Sequence, residues 1–317
     1  MEEPAHIAVV ALGGNALSTP DEEDSITNRF ARTRRSLIGI IELIRKGYRI
    51  AITHGNGPQV GNALLRVEMA YPKAPRVPLG VLVADTEGSI GYMIEQSLQN
   101  MLKLAGVERD VVTIVSQVLV DKDDPSLANP TKYIGQFYPE NEAKELAEKY
   151  GWIVKDAGNH GWRRVVGSPI PKNIINGHII RNLTDSGMIV ISAGGGGIPV
   201  YLEDDGRFEG VDAVIDKDRA AAILGRVIGA RELIILTNIE KVCLNYGKPN
   251  QHPLDKLTVS EAKDYHTQGH FPPGSMGPKI EAAITFLEHG GEKVIITHLE
   301  QVLEALHGEA GTWVIPD

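Results

Sequence analysis

IAVVALGGNA, residues 7–16, runs six apolar residues, half of them β-branched, straight into two glycines and an asparagine. An apolar run of that length, closed by glycine, reads as a strand buried on both faces. The pattern recurs along the chain. YRIAIT (48–53) runs into HGNGPQVG (54–61), and MIVISA (188–193) into GGGG (194–197). DVVTIVS (110–116), ELIILT (232–237) and KVIITH (293–298) are three further strand candidates. Helical stripes lie between them: Leu37, Ile40, Ile41 and Ile44; Ile90, Ile94, Leu98, Met101, Leu102 and Ala105; Ile175, Ile179 and Leu183. Strands alternating with helices require right-handed crossovers. The fold class is therefore α/β: a mostly parallel open sheet with helices on both faces.

Two stretches break the alternation. Residues 121–171 hold DKDDPSLANPTKYIGQFYP, an acidic helix pattern from Glu140 to Lys149, and WRRVVGSPIP; they read as an inserted, small protruding subdomain. IPVYLEDDGRFEGVDAVI (198–215) carries a DDG turn between strand-like runs and reads as a hairpin. No period of 20–50 residues marks a solenoid. At 317 residues, one large domain or two lobes is expected.

The net charge of −9 argues against a duplex nucleic-acid binder, which needs a basic face. Cys243 is the sole cysteine, so no internal disulfide forms; in EKVCLNYG it reads as a small buried hydrophobe rather than a nucleophile. MEEPAHIAVVAL has acidic residues where a signal peptide would be basic. No apolar run approaches the ~20 residues that span a bilayer. A cytoplasmic protein without a membrane or nucleic-acid partner is expected.

In open parallel sheets, ligands bind outside the carboxyl ends of the strands. Three glycine-rich loops fall there, and glycine lets backbone N–H groups approach an anion closely. A single such loop is ordinary turn chemistry. Three together, with Asn15 and Asn56 beside them, point to a phosphate-rich ligand. Yet G-x-x-x-x-G-K-[ST] is absent, GGGGIP puts Pro199 where a dinucleotide fingerprint needs glycine, and protein-kinase motifs are missing.

Lysines fill the gap. VIDKDRAAAILG (214–225) places Lys217 at a helix start, with Asp216 as N-cap and Asp218 in the first turn. GSMGPKIEAAITFLE (274–288) puts Lys279 in the first turn of another helix. Both oppose the helix dipole. Each alone reads as a solvated surface residue; as a pair flanking a glycine-rich edge, they fit a transferring phosphoryl group, where charge compensation carries catalysis. Lys132 in NPTKYIG is a third candidate cation. His266 and His270, four apart with Gly269 between, read as a surface turn rather than a zinc site.

ALGGNAL, THGNGPQVGN, NPTKYIG, WRRVVGSPIPK, AGGGGIPV, GVDAVIDKD, LNYGKPNQ and GHFPPGSMGPKIEAA, in this order, resemble the successive motifs of the carbamate kinases, a branch of the amino acid kinase family. The resemblance runs from about residue 7 to 315. It implies a three-layer αβα sandwich of about eight strands and reversible phosphoryl transfer between ATP and carbamate with Mg²⁺. It further implies a cytoplasmic homodimer in arginine metabolism. The N-terminal lobe, about residues 1–195, would take the carbamate side with the subdomain at 121–171, and residues 196–317 the nucleotide side.

Carried over by position, Lys217 and Lys279 match the phosphoryl-stabilising lysines, Asp218 their organiser, and Lys132 the subdomain lysine that reaches the substrate. Gly13, Gly14, Asn15, Gly55, Asn56 and Gly57 match the loops around carbamate and the phosphoryl group. Gly194, Gly195, Gly196, Gly197, Tyr246, Lys248, Pro249, Ser275, Met276 and Gly277 fall where the nucleotide is held; no protein metal ligand is assigned. The family usually has proline where Tyr133 and Gly167 stand, and TDVD where this chain has Thr237, Asn238, Ile239 and Glu240. The residues by themselves reach only a small-anion phosphotransferase. Another acyl-phosphate-forming kinase of the same fold, or a nucleotide-binding regulator without chemistry, stays open at this point.

Overall fold

A computed structural model describes residues 6–13 and 25–317. Its middle layer is an eight-stranded sheet. The strands are β1 (Ile7–Leu12), β2 (Arg49–His54), β3 (Val111–Ile114), β4 (Ile189–Ser192), β5 (Glu232–Thr237), β6 (Lys256–Thr258), β7 (Lys293–His298) and β8 (Thr312–Ile315). They lie in the order β6-β8-β7-β5-β1-β2-β4-β3. Neighbours from β7 to β3 run parallel, whereas β8 is antiparallel to β7 and carries β6 parallel to itself. The six parallel strands are those expected from the apolar runs. The remaining two strands, β6 and β8, only three and four residues long, carry no comparable run.

Period-two alternation divides β1 between two cores. Val9 and Ala11 face a layer built by helices α6 (Gly177–Asp185), α7 (Lys217–Ile228), α8 (Val259–Thr267) and α9 (Met276–Glu288). Ala8, Val10 and Leu12 face a layer of α1 (Ile26–Ser36), α2 (Ile38–Arg45) and α4 (Leu79–Leu104). This is the expected three-layer sandwich. The helices α7 and α9 pack closely because Gly225 leaves room for the ring of Phe286: a Cβ there would lie 2.4 Å from a ring carbon. Phe286 is fully buried, worth roughly 1.5–3 kcal/mol in transfer free energy.

One expected stripe is displaced. α6 buries Ile180 and Thr184, while Ile179 is 44% exposed and Ile175 precedes the helix. Asn176, in the left-handed region at φ 58°, separates Ile175 from the first helical turn, so the count across it runs through a bend.

Within the interruption at 121–171, residues 132–166 build a small unit around a separate sheet. Strands Lys132–Tyr138, Trp162–Val166 and Ile153–Asp156 make an antiparallel sheet with Trp162–Val166 in the middle, and α5 (Glu140–Tyr150) closes a minor core of Tyr138, Ala143 and Trp152. Gly151, at φ 70°, ends α5 in the left-handed conformation. This unit rests on α3 (Gly57–Ala70) through a bare backbone seam: a Cβ on Gly61 would lie 2.1 Å from Gly135 Cα. The hairpin is present as well, pairing Ile198–Leu202 with Phe208–Gly210.

Candidate active site

The chain fills one side of β1 with β2 to β4 and then crosses to β5 on the other side. A cleft of about 470 Å³ opens at the carboxyl ends of β1, β2 and β5, where the strand order reverses. Gly13, Gly55, Asn56 and Gly57 line it from β1 and β2, and Leu236 and Thr237 from β5. Helices α7 and α9 bring their N-terminal turns, and the small sheet brings Lys132, Tyr133 and Arg163.

Asp216 caps α7: one carboxylate oxygen accepts from the backbone amides of Asp218 at 2.9 Å and Arg219 at 3.5 Å. This cap makes Lys217 the first helical residue. Its Nζ donates to Oδ1 of Asp218, while Lys279 Nζ donates to Oδ2 of the same carboxylate at 2.7 Å. Lys132 Nζ donates to the remaining oxygen of Asp216. Two lysines that oppose their helix dipoles thus share one buried carboxylate. Three lysines against two aspartates leave the cluster one positive charge in excess, in a place of low dielectric facing the cleft.

Burial and the flanking charges set the protonation of this cluster. Burial works against the charged form of Asp216 and Asp218, but the lysines outweigh it and hold both carboxyls below the ordinary range. The two lysines on Asp218 respond in opposite directions. Burial dominates at Lys217 and, with the like charge of Lys279, lowers its pKa. Burial also acts on Lys279, yet Asp218 and Asp216 overcome it and raise the value. A second tie joins the two helices: Arg219 of α7 bonds Glu281 of α9 through Nε at 2.8 Å and Nη2 at 2.5 Å.

Beside β2, the glycine turn is held by buried polar groups. Thr53 donates to the carbonyl of Ala193 at 2.7 Å, and the Ala193 amide donates to Ser116 Oγ at 3.0 Å. Ala193 is left-handed at φ 51°, with Gly195, Gly196 and Gly197 also at positive φ, which glycine tolerates without strain. Gly195 alone of the four glycines lines the cleft. Gly194 packs against the ring of His54, Gly196 against the carbonyl of Ile215, and Gly197 against Val118. Burial lowers the pKa of His54 to about 4, so it is neutral at physiological pH. Burial raises that of Glu87 well above the carboxylate range, despite the Ser116 amide donating to it at 3.0 Å.

The cleft gathers Lys217, Lys279, Lys132, Asp218, Gly13, Gly55, Asn56, Gly57, Gly195, Tyr246, Ser275 and Met276. Lys248, Pro249, Gly277, Gly194, Gly196 and Gly197 stay outside its lining. Gly14 and Asn15 lie outside the described residues. Sequence reading missed Arg163, whose guanidinium donates to the Gly135 carbonyl at 2.6 Å and lies over the ring of Phe137. No spacing signal distinguishes it from its neighbour Arg164 on the same strand. Cys243 is only half-buried and forms part of the cleft wall, not the core expected of it, because its strand is just two residues long. Asn238 and Ile239, two of the departures from the family pattern, also line the cleft.

A sequence profile described as the amino acid kinase family matches residues 6–298. The chain is 48% identical over 310 residues to the carbamate kinase of Pyrococcus furiosus, covering 97% of this chain and 98% of that one. The carbamate kinase of Clostridium perfringens is 44% identical over 311 residues, with 97% and 99% covered. Among solved structures, the carbamate kinase of Giardia lamblia bound to AMP-PNP superimposes with a TM-score of 0.89 at 39% identity, covering 99% of each chain.

Proposed function

The chain belongs to the amino acid kinase family, and from that premise we propose that its cleft moves a phosphoryl group between carbamoyl phosphate and ADP. It is a carbamate kinase: ADP and carbamoyl phosphate give ATP and carbamate, reversibly, and carbamate breaks down to ammonia and CO₂. The observation that carries the mechanism is the bridging of Lys217 and Lys279 by Asp218 at the strand-order switch.

In the ATP-forming direction, a terminal β-phosphate oxygen of ADP bonds to the phosphorus as the bond to the carbamate oxygen breaks. Carbamate departs with that electron pair. Negative charge spreads over the transferred oxygens, and Lys217 and Lys279 flank it from two helix starts. Asp218 fixes their separation in advance, so little reorganisation is needed at the moment of transfer. Lys132 reaches in from the small sheet and neutralises the acyl phosphate. Asn56 and the amides around Gly13, Gly55 and Gly57 enclose the small acyl group. Tyr246, Ser275 and Met276 hold the nucleotide. On this reading residues 1–195 serve the carbamate side and residues 196–317 the nucleotide side.

Among the described residues, Mg²⁺ fits the cleft as a partner of the nucleotide. The carboxylates of Asp216 and Asp218 are occupied by lysines and backbone amides, and no cluster of three or more acidic, His or Cys ligands exists among the described residues. Bound together with the nucleotide, the ion would supply further compensation of phosphate charge. The homodimer, the cytoplasmic location and arginine metabolism rest on the resemblance; no described helix is long and apolar enough to cross a membrane. Incubation with carbamoyl phosphate, ADP and Mg²⁺ should yield ATP; yield no greater than the uncatalysed background would sink the reading.

A further inference from the structure

Asn56, 2% exposed, ends the loop after β2 at the cleft. Its Nδ2 donates to Thr86 Oγ1 in α4 at 2.9 Å. The hydroxyl proton of Thr86 is already committed to the Val83 carbonyl at 2.8 Å. A hydroxyl has one proton, so toward Asn56 this oxygen can only accept. The amide orientation follows: the NH₂ end sits on Thr86, and Oδ1 has no hydrogen-bond partner among the described residues. The amide is also pinned against Gly195, where a Cβ would lie 2.1 Å from Nδ2 and 2.7 Å from Oδ1.

We infer that Thr86 is a positioning residue that turns Asn56 so that a hydrogen-bond acceptor meets the acyl group, selecting an acyl phosphate that carries N–H. The inference rests on the proposed reaction and adds the basis of its selectivity. A carbamoyl group differs from an acetyl group in having NH₂ where acetyl has CH₃, at similar size. An acceptor fixed in a desolvated wall is satisfied by the first and stranded by the second. An amide turned the other way would set donor against donor.

The test measures kcat/KM for ATP formation from carbamoyl phosphate and from acetyl phosphate at fixed ADP and Mg²⁺. Wild type, Thr86→Val and Thr86→Ser are compared. Thr86→Val should lower the preference for carbamoyl phosphate by about tenfold, through carbamoyl phosphate alone, and Thr86→Ser should retain it. An equal loss on both substrates in Thr86→Val would mean a merely structural role and overturn the inference; so would an unchanged ratio. If Thr86→Val does not fold, Thr86→Ala removes the same acceptor without added bulk and is read by the same ratio. Failure of the wild type to use carbamoyl phosphate would instead overturn the reaction, independently of the variant ratios.

Discussion

Lys217 and Lys279 bond opposite oxygens of a single carboxylate, that of Asp218. They come from the first turns of two helices that meet over the sheet edge, and Arg219 to Glu281 locks the same helices two residues further on. The spacing of the cations is therefore a property of the helix pair rather than of flexible side chains.

Rate and stability should separate at Lys279. Lys279→Ala leaves Asp218 paired to Lys217 and removes one cation from the path of the phosphoryl group. Turnover should drop by roughly 10²–10³, the size seen when one preorganised electrostatic contact is lost. Coupled measurement of ADP phosphorylation checks the rate, and a urea melt should move little by comparison.

Asp218→Ala should behave in the opposite proportion. It strands two buried lysines without their counterion, and removing one partner from a buried ion pair typically costs about 3–5 kcal/mol. A large loss in the denaturation midpoint is expected along with the loss of activity. A variant as stable as wild type would show that the lysines find other anions.

Two buried groups should oppose each other in the pH dependence of stability. His54 titrates near 4 when folded and near 6.5 when unfolded, so between those values the unfolded chain binds more protons and stability rises with pH. Glu87 is raised well above 4.5, so from 4.5 upward the folded chain keeps the proton and stability falls with pH. Above pH 4.5, where both act, the two slopes, each up to ~1.4 kcal/mol per pH unit, oppose each other. Glu87→Gln should unmask a rise in stability with pH over that window, and His54→Gln a fall. Denaturant titrations at several pH values decide it; parallel curves for both variants would refute the assignment.

Gly61→Ala should disable the enzyme without unfolding its main core. A methyl group there meets Gly135 backbone at 2.1 Å, so the small sheet must shift and carry Lys132 with it. Catalytic loss is expected with circular dichroism and most of the thermal transition retained.

Much of this was legible beforehand because burial on both faces leaves a plain sequence signature. IAVVAL, ELIILT and KVIITH map onto β1, β5 and β7 residue for residue. Asp216 as N-cap was readable from its position before Lys217, and the capping bonds are present. The pairing of each lysine with an aspartate was not readable, since Lys279 and Asp218 are brought together only by packing of α7 on α9. Cys243 misled because an apolar neighbourhood does not reveal which side of a two-residue strand faces a cleft. Lys248 and Pro249 sit in the turn beyond that strand, where proximity in sequence to Tyr246 does not bring them to the same wall.

Asp216 holds backbone amides with one oxygen and Lys132 with the other. The two duties are separable. A phosphate that draws Lys132 away takes nothing from the amides, so α7 keeps its cap and Lys217 its place. The cleft thus presents two kinds of cation: Lys217 and Lys279, set by the helix pair, and Lys132, held on the small sheet by a single side-chain oxygen.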